Sequence, residues 1–91
     1  MLLCFLLLFA TGDSLEIYTE PSCAPCQQLK AAVAADPSLL EGYDVTYLRA
    51  KDGKRKGVRV VPTLIKYRDG KEVDRVSGFG GPESLKRWLS K

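Results

Sequence analysis

Leu15-Glu16-Ile17-Tyr18-Thr19-Glu20-Pro21-Ser22-Cys23-Ala24-Pro25-Cys26 is the stretch on which the fold turns, because a strand pattern runs straight into a closely spaced cysteine pair. Leu15 to Thr19 alternates apolar and polar residues and stops at Pro21, the signature of a half-buried strand. From Pro25 onward the composition changes to helix formers, Gln27 to Ala35, with Leu29, Ala32 and Val33 on one face. Ser22 is the expected N-cap, and Pro25 falls in the first turn, where its missing N–H has no partner to lose. Asp36-Pro37 ends the helix, since the residue before a proline is pushed out of the helical region. Cys23 is thereby placed at a helix start.

Downstream, Tyr43 to Leu48 is rich in β-branched and aromatic residues and completes a β-α-β unit with the two strands parallel. Arg49 to Arg59 holds six basic residues (Arg49, Lys51, Lys54, Arg55, Lys56, Arg59) against one acid, Asp52, and is expected as a short helix or loop. It reads as a solvated face or as a basic rim for an anionic partner. Val60 to Tyr67 is a strand interrupted by Pro62. Asp69-Gly70 is a hairpin turn, and Glu72 to Ser77 is the return strand, with Val73 and Val76 as its apolar members. Gly78-Phe79-Gly80-Gly81 breaks the pattern and Pro82 opens a last helix. Leu85, Trp88 and Leu89 there form one apolar stripe, with Trp88 as a core residue. The expected class is α/β: a four-stranded mixed sheet flanked by helices, in the order β-α-β-(α)-β-β-α.

Length and composition set the bounds. Ninety-one residues suit one small domain, and 45% apolar with 27% charged residues is a globular balance. A net charge of +3 is only mildly basic, and the basic run lacks interleaved aromatics, so no nucleic-acid partner is expected. Three cysteines without histidine cannot complete a Cys4 or Cys2His2 zinc site within one chain, and no metal site is expected. Met1 to Ala10 is continuously apolar, followed by polar Thr11 to Ser14. Three readings of this segment stand side by side: a dispensable extension, an export signal lacking the usual basic start, and a native edge strand. The domain proper is expected over 15–91, and Cys4 is read as a small buried hydrophobe.

The pair Cys23-x-x-Cys26 at a helix start has a specific chemical use. The thiolate is the reactive form, and helix N-terminal amides stabilise its charge, so Cys23 is the candidate nucleophile. It attacks a substrate disulfide, and Cys26, one turn on, resolves the mixed disulfide while closing an intramolecular bridge. Pro25 restricts the ring between them. The same spacing also occurs in half of a zinc ribbon, in an inert bridge or in a metal clip shared between two chains, which leaves a binding module with Cys23 and Cys26 as a static bridge or metal clip as the rival class.

On these residues the chain resembles the thioredoxin and glutaredoxin superfamily over 15–91. Glu16 to Cys26 looks like the opening of a glutaredoxin. Gly57-Val58-Arg59-Val60-Val61-Pro62-Thr63-Leu64, with the Asp69-Gly70-Lys71 turn and Val76-Ser77-Gly78, looks like the second half of a thioredoxin. The resemblance implies that Pro62 is cis against the cysteine pair, and that Val61 and Pro62 form the ledge on which a substrate backbone pairs. It further implies a dithiol oxidoreductase acting on protein disulfides, with no cofactor beyond the Cys23–Cys26 disulfide. A thioredoxin-reductase-like donor or glutathione would recharge it. A monomer in the cytoplasm is expected; export to the cell envelope is the alternative if 1–12 is a signal. Two departures stand out: Ser22 replaces the family's tryptophan before the first cysteine, and Ile17 replaces the buried acid that moves protons to the second. Water or Glu20 is left as proton acceptor for Cys26. Gly80-Gly81 is a candidate cradle for a glutathione carboxylate, assisted by the basic run.

Overall fold

The computed structural model describes residues 13–91. The segment 1–12, with its three readings and Cys4, lies outside the described residues. The elements are β1 (Asp13–Thr19), α1 (Ala24–Ala35), a 3₁₀ turn (Pro37–Leu40), β2 (Tyr43–Arg49), a second 3₁₀ helix (Ala50–Lys56), β3 (Thr63–Arg68), β4 (Lys71–Ser77) and α2 (Pro82–Leu89). The sheet order is β2-β1-β3-β4. β1 pairs parallel with β2 and antiparallel with β3, and β3 pairs antiparallel with β4, giving the expected four-stranded mixed sheet.

β1 begins two residues before the alternating pattern does. Asp13 and Ser14 pair on both sides, with Tyr43 and Asp44 of β2 and with Arg68 and Tyr67 of β3, so backbone pairing rather than side-chain pattern sets the start of this central strand. β3 begins later than expected, at Thr63 rather than Val60. Proline has no N–H to give a ladder, and the loop carbonyls before β3 are satisfied elsewhere: Thr63 Oγ1 donates to Val60 O at 2.7 Å and Gly78 N to Pro62 O at 2.7 Å. The Asp69-Gly70 turn has both residues at positive φ, 54° and 83°, the twist that a two-residue hairpin requires.

Each face of the sheet has its own core. Leu15, Ile17, Leu29, Leu39, Leu40, Leu64, Leu85 and Trp88 fill the side covered by α1 and α2. Tyr18, Val58 and Ile65 fill the other, beneath the second 3₁₀ helix. Trp88 is core as expected, and its indole N–H donates to Asp74 Oδ2 at 2.9 Å. Lys66, only 2% exposed, lays its stem into the first core and donates from Nζ to Trp88 O at 2.9 Å, capping the C-terminal end of α2.

The return strand corrects the sequence reading. Val76 packs against the core, but Val73 is 48% exposed. Two residues three apart cannot share a face of a regular strand. The structure resolves this with a register shift: Lys66 faces Asp74 and Tyr67 faces Glu72, which leaves Val73 without a partner.

Candidate active site

β1 delivers the chain to the site and α1 carries it away. After Thr19 a turn closes with Cys23 N donating to Glu20 O at 3.1 Å. The N-cap of α1 is Cys23, one residue later than the expected Ser22, and its sulfur takes the place of the usual cap oxygen. Cys26 N donates to Cys23 Sγ at 3.1 Å, while Gln27 N donates to Cys23 O at 3.1 Å. Ala24 and Pro25 then occupy the first two helical positions, and Pro25 is exposed beside the pair.

Cys23 and Cys26 form a disulfide with Cα atoms 5.2 Å apart. Their surroundings differ. Cys23 is partly exposed at the helix tip, whereas Cys26 is fully buried against the sheet. The Cys23 sulfur lies between two backbone groups, the Cys26 amide at 3.1 Å and the Val61 carbonyl at 3.6 Å.

The Val61–Pro62 peptide bond is cis. Val61 is half-buried and Pro62 fully buried, so the structure brings Cys23, Cys26, Val61 and Pro62 together at one end of the sheet. Two features here had only weak signals in the sequence. Val60, assigned to the strand, is 56% exposed in the loop just before Val61. Thr63, buried, shares a hydroxyl contact with Ser77 Oγ at 3.0 Å, tying this loop to β4. A hydroxyl directly after a loop proline was the only available hint.

Glu20 is committed elsewhere. Its carboxylate accepts from Arg49 Nη2 at 3.0 Å and from Ala50 N at 2.8 Å. The Arg49 hydrogen bond first, and the Ala50 amide second, hold it below the usual carboxylate range. A carboxylate stabilised in this way is a weak base and is poorly suited to take a proton from a thiol. Ile17 is fully buried, with no acid in its place. On the opposite face, Glu16 Oε1 accepts from Lys56 Nζ at 2.8 Å, Tyr18 OH at 2.8 Å and Tyr67 OH at 2.9 Å. Burial pushes the Glu16 carboxyl up, but those three donors outweigh it and the net shift is down. Tyr18, buried and donating to Glu16, is pushed up to about 12. Among the described residues no group of three or more His, Cys, Asp or Glu could hold a metal ion.

A family model described as a thioredoxin-like domain matches residues 12–91. Thioredoxin from Chlamydia caviae is 32% identical over 85 residues, covering 89% of this chain and 83% of that protein. Thioredoxin from Chlamydia muridarum is 33% identical over 86 residues, covering 90% and 84%. Among solved structures, a point-mutant thioredoxin from Halobacterium salinarum superposes with a TM-score of 0.74 at 26% identity, covering 88% of this chain and 74% of that one. Fasciola hepatica thioredoxin superposes with a TM-score of 0.75 at 22% identity, covering 97% and 88%, and speaks for the fold alone. Thioredoxin relatives and the Cys23–Cys26 disulfide together support thiol–disulfide oxidoreductase chemistry. With its sheet order, its helix-tip disulfide and a family match over 12–91, the chain belongs to the thioredoxin-like family.

Proposed function

We propose that this chain is a dithiol oxidoreductase that reduces protein disulfides through Cys23-Ala24-Pro25-Cys26. The observation that carries the reading is the asymmetry of the pair: a partly exposed Cys23 sulfur receiving a helix N-terminal amide, with Cys26 buried one turn behind it. The Cys23 thiolate attacks one sulfur of a substrate disulfide, forming a mixed disulfide and releasing the other sulfur as a thiolate. Cys26 loses its proton and attacks Cys23 Sγ, which releases the second substrate sulfur as a thiolate and closes the Cys23–Cys26 bridge. Two electrons and the Cys26 proton pass from the pair to the substrate, and the second thiolate takes from water the proton that Cys23 gave up on ionising. No side-chain acid is available at Ile17, and Glu20 is held as a paired carboxylate. The released substrate thiolate, the strongest base the reaction itself generates, is therefore assigned the Cys26 proton. Val61 and Pro62, with exposed Pro25 and Val60 on either side, form the surface on which the substrate lies. A thioredoxin-reductase-like donor or glutathione recharges the pair, and a reducing compartment is the setting in which this direction runs.

The test is the reduction potential of the Cys23–Cys26 couple, read by equilibrating the full chain in dithiothreitol or glutathione buffers and trapping free thiols. A value of about −270 to −200 mV is expected, alongside catalysed reduction of insulin disulfides that Cys23→Ser abolishes. A value near about −120 mV would make it an oxidant and favour an exported role. A pair that does not cycle, in a protein that still binds partners, would sink the reading in favour of a binding module.

A further inference from the structure

The second 3₁₀ helix and the loop behind it build a concavity that the redox chemistry does not use. Of the six basic residues in 49–59, two are neutralised: Arg49 by Glu20 at 3.0 Å and Lys56 by Glu16 at 2.8 Å. The one acid of the stretch, Asp52, turns back to accept from Arg49 N at 3.1 Å. Lys51, Lys54, Arg55 and Arg59 are exposed and have no ion-pair partner among the described residues. Glu20, the acid that feels the charge of Lys51, is already spent on Arg49 and Ala50.

Lys51, Lys54 and Arg59 ring an open cavity of about 490 Å³, whose remaining wall is Ala50, Gly57 and Val58. Sites that hold small ligands or peptide side chains run to roughly 300–1,000 Å³. The apolar part is Ala50 with Val58, which is only 7% exposed, and the rim is cationic. Backbone geometry fixes its shape. A Cβ on Gly53 would sit 2.6 Å from Val58 Cβ, so only glycine lets the helix close on that side chain. Gly57, at φ 78°, ends the helix, and Val58 N donates back to Gly53 O at 3.0 Å.

The cavity is separate from the disulfide but adjoins it. Arg59 lies two residues before Val61, whose carbonyl is 3.6 Å from Cys23 Sγ. Two residues span at most about 7 Å, so an extended peptide engaged at Cys23 comes level with Arg59 within about four residues.

We propose that this cavity is a docking site for an acidic segment of the protein substrate, a few residues from the disulfide being reduced. The proposal rests on the oxidoreductase reading above and names its substrate class. Charge complementarity carries it. Three cations with no ion-pair partner among the described residues surround one concave surface and focus a positive field, and a Glu or Asp carboxylate meets the Arg59 fork and the two ammonium groups as an aliphatic stem covers Val58. The absence of an aromatic platform in the lining favours peptide over nucleic acid.

The test uses the full chain with dithiothreitol recycling and three disulfide-linked peptides that differ only in carrying Glu, Gln or Lys four residues from the cysteine. The wild type is expected to reduce the Glu peptide with roughly tenfold higher kcat/KM than the Gln peptide at low salt, and the Lys peptide more slowly still. That preference shrinks as salt screens it. The Lys51→Gln/Lys54→Gln/Arg59→Gln variant should reduce all three at the wild type's Gln-peptide rate, which also shows that it is folded. Equal wild-type rates on the Glu and Gln peptides, or a preference that survives in the triple variant, would overturn the docking site while leaving the oxidoreductase intact. Faster reduction of oxidised glutathione than of the Glu peptide, lost in the triple variant, would overturn it in favour of a small anionic disulfide. No turnover of any peptide would fell the oxidoreductase reading and this one together.

Discussion

The two faces of the sheet are held by different physics. Beneath α1 and α2 the contacts are mostly apolar and close-packed: Leu15, Ile17, Leu29, Leu64, Leu85 and Trp88, with buried Cys26 on the same helix as Leu29 and the charged Lys66 and Asp74 reaching Trp88 near the end of α2. Beneath the second 3₁₀ helix a smaller apolar patch of Tyr18, Val58 and Ile65 is bordered by a polar knot, in which Glu16 gathers Lys56, Tyr18 and Tyr67. Arg75 clamps that knot from the side, donating to Lys56 O at 2.9 Å and pairing with Glu72. Burial is indifferent to pH and insensitive to salt screening, whereas charged hydrogen bonds are neither. Cys26 thus rests beside the mostly apolar packing, and the loop leading to Val61 leans on the polar knot.

The contrast can be broken most strongly at Leu29. Leu29→Ala removes a fully buried side chain from α1 and is expected to destabilise the domain by about 3 kcal/mol, read as a lower denaturant midpoint at unchanged slope. The loss should be nearly the same at pH 7 and pH 4, since no charge is involved. A loss that varied strongly with pH would show that the two faces are coupled.

Glu16→Gln should act on the other face and more weakly, by about 1–2 kcal/mol at pH 7, because the Gln oxygen can still accept from Tyr18 and Tyr67 and Lys56 keeps its bond to Tyr67. Its pH dependence is the sharper reading. The folded Glu16 carboxyl lies below its unfolded value of about 4.3, so its contribution is fully present above that value and fades as pH falls through the lower folded one. Acid titration of stability should therefore be shallower in Glu16→Gln than in the wild type over that window. An unchanged acid limb would remove Glu16 from the account of this face.

The smallest effect is expected at Glu20. Glu20→Gln keeps an acceptor for Ala50 N and gives up only an exposed ion pair with Arg49, so stability should barely move. The pH profile of insulin reduction should stay where it is. A shift of that profile would make Glu20 the proton acceptor after all and contradict the assignment to the substrate thiolate.

Much of the first face was legible because its signals are local. The alternation of Leu15 to Thr19, the helix formers after Pro25 and the stripe of Leu85, Trp88 and Leu89 each declare themselves within a dozen residues. The cysteine pair at a helix start was equally plain. Only the cap was misplaced by one residue, because sulfur in Cys23 does what the hydroxyl of Ser22 usually does. The second face was opaque for the opposite reason. Glu16 meets Lys56 forty residues on and Tyr67 fifty-one residues on, and Glu20 meets Arg49 at a separation of twenty-nine; no periodicity announces such pairings. The basic run was visible as composition, but which of its charges are spent and which remain open is a matter of tertiary placement. Val73 failed for a related reason: a bulge is a relation between two strands, and one strand's pattern does not contain it.

That bulge also bears on how the protein behaves in company. Among the described residues β4 is an outer strand, and outer strands offer unpaired amides and carbonyls to any second chain able to lie alongside. Lys71, Glu72, Asp74 and Arg75 line this one with charge of both signs, and the extra residue at Val73 spoils the regular spacing that a stacking copy would need. The irregularity that turns a valine out to water therefore guards the edge against sheet-to-sheet aggregation. Straightening it by deleting Val73 would exchange one exposed side chain for an open template.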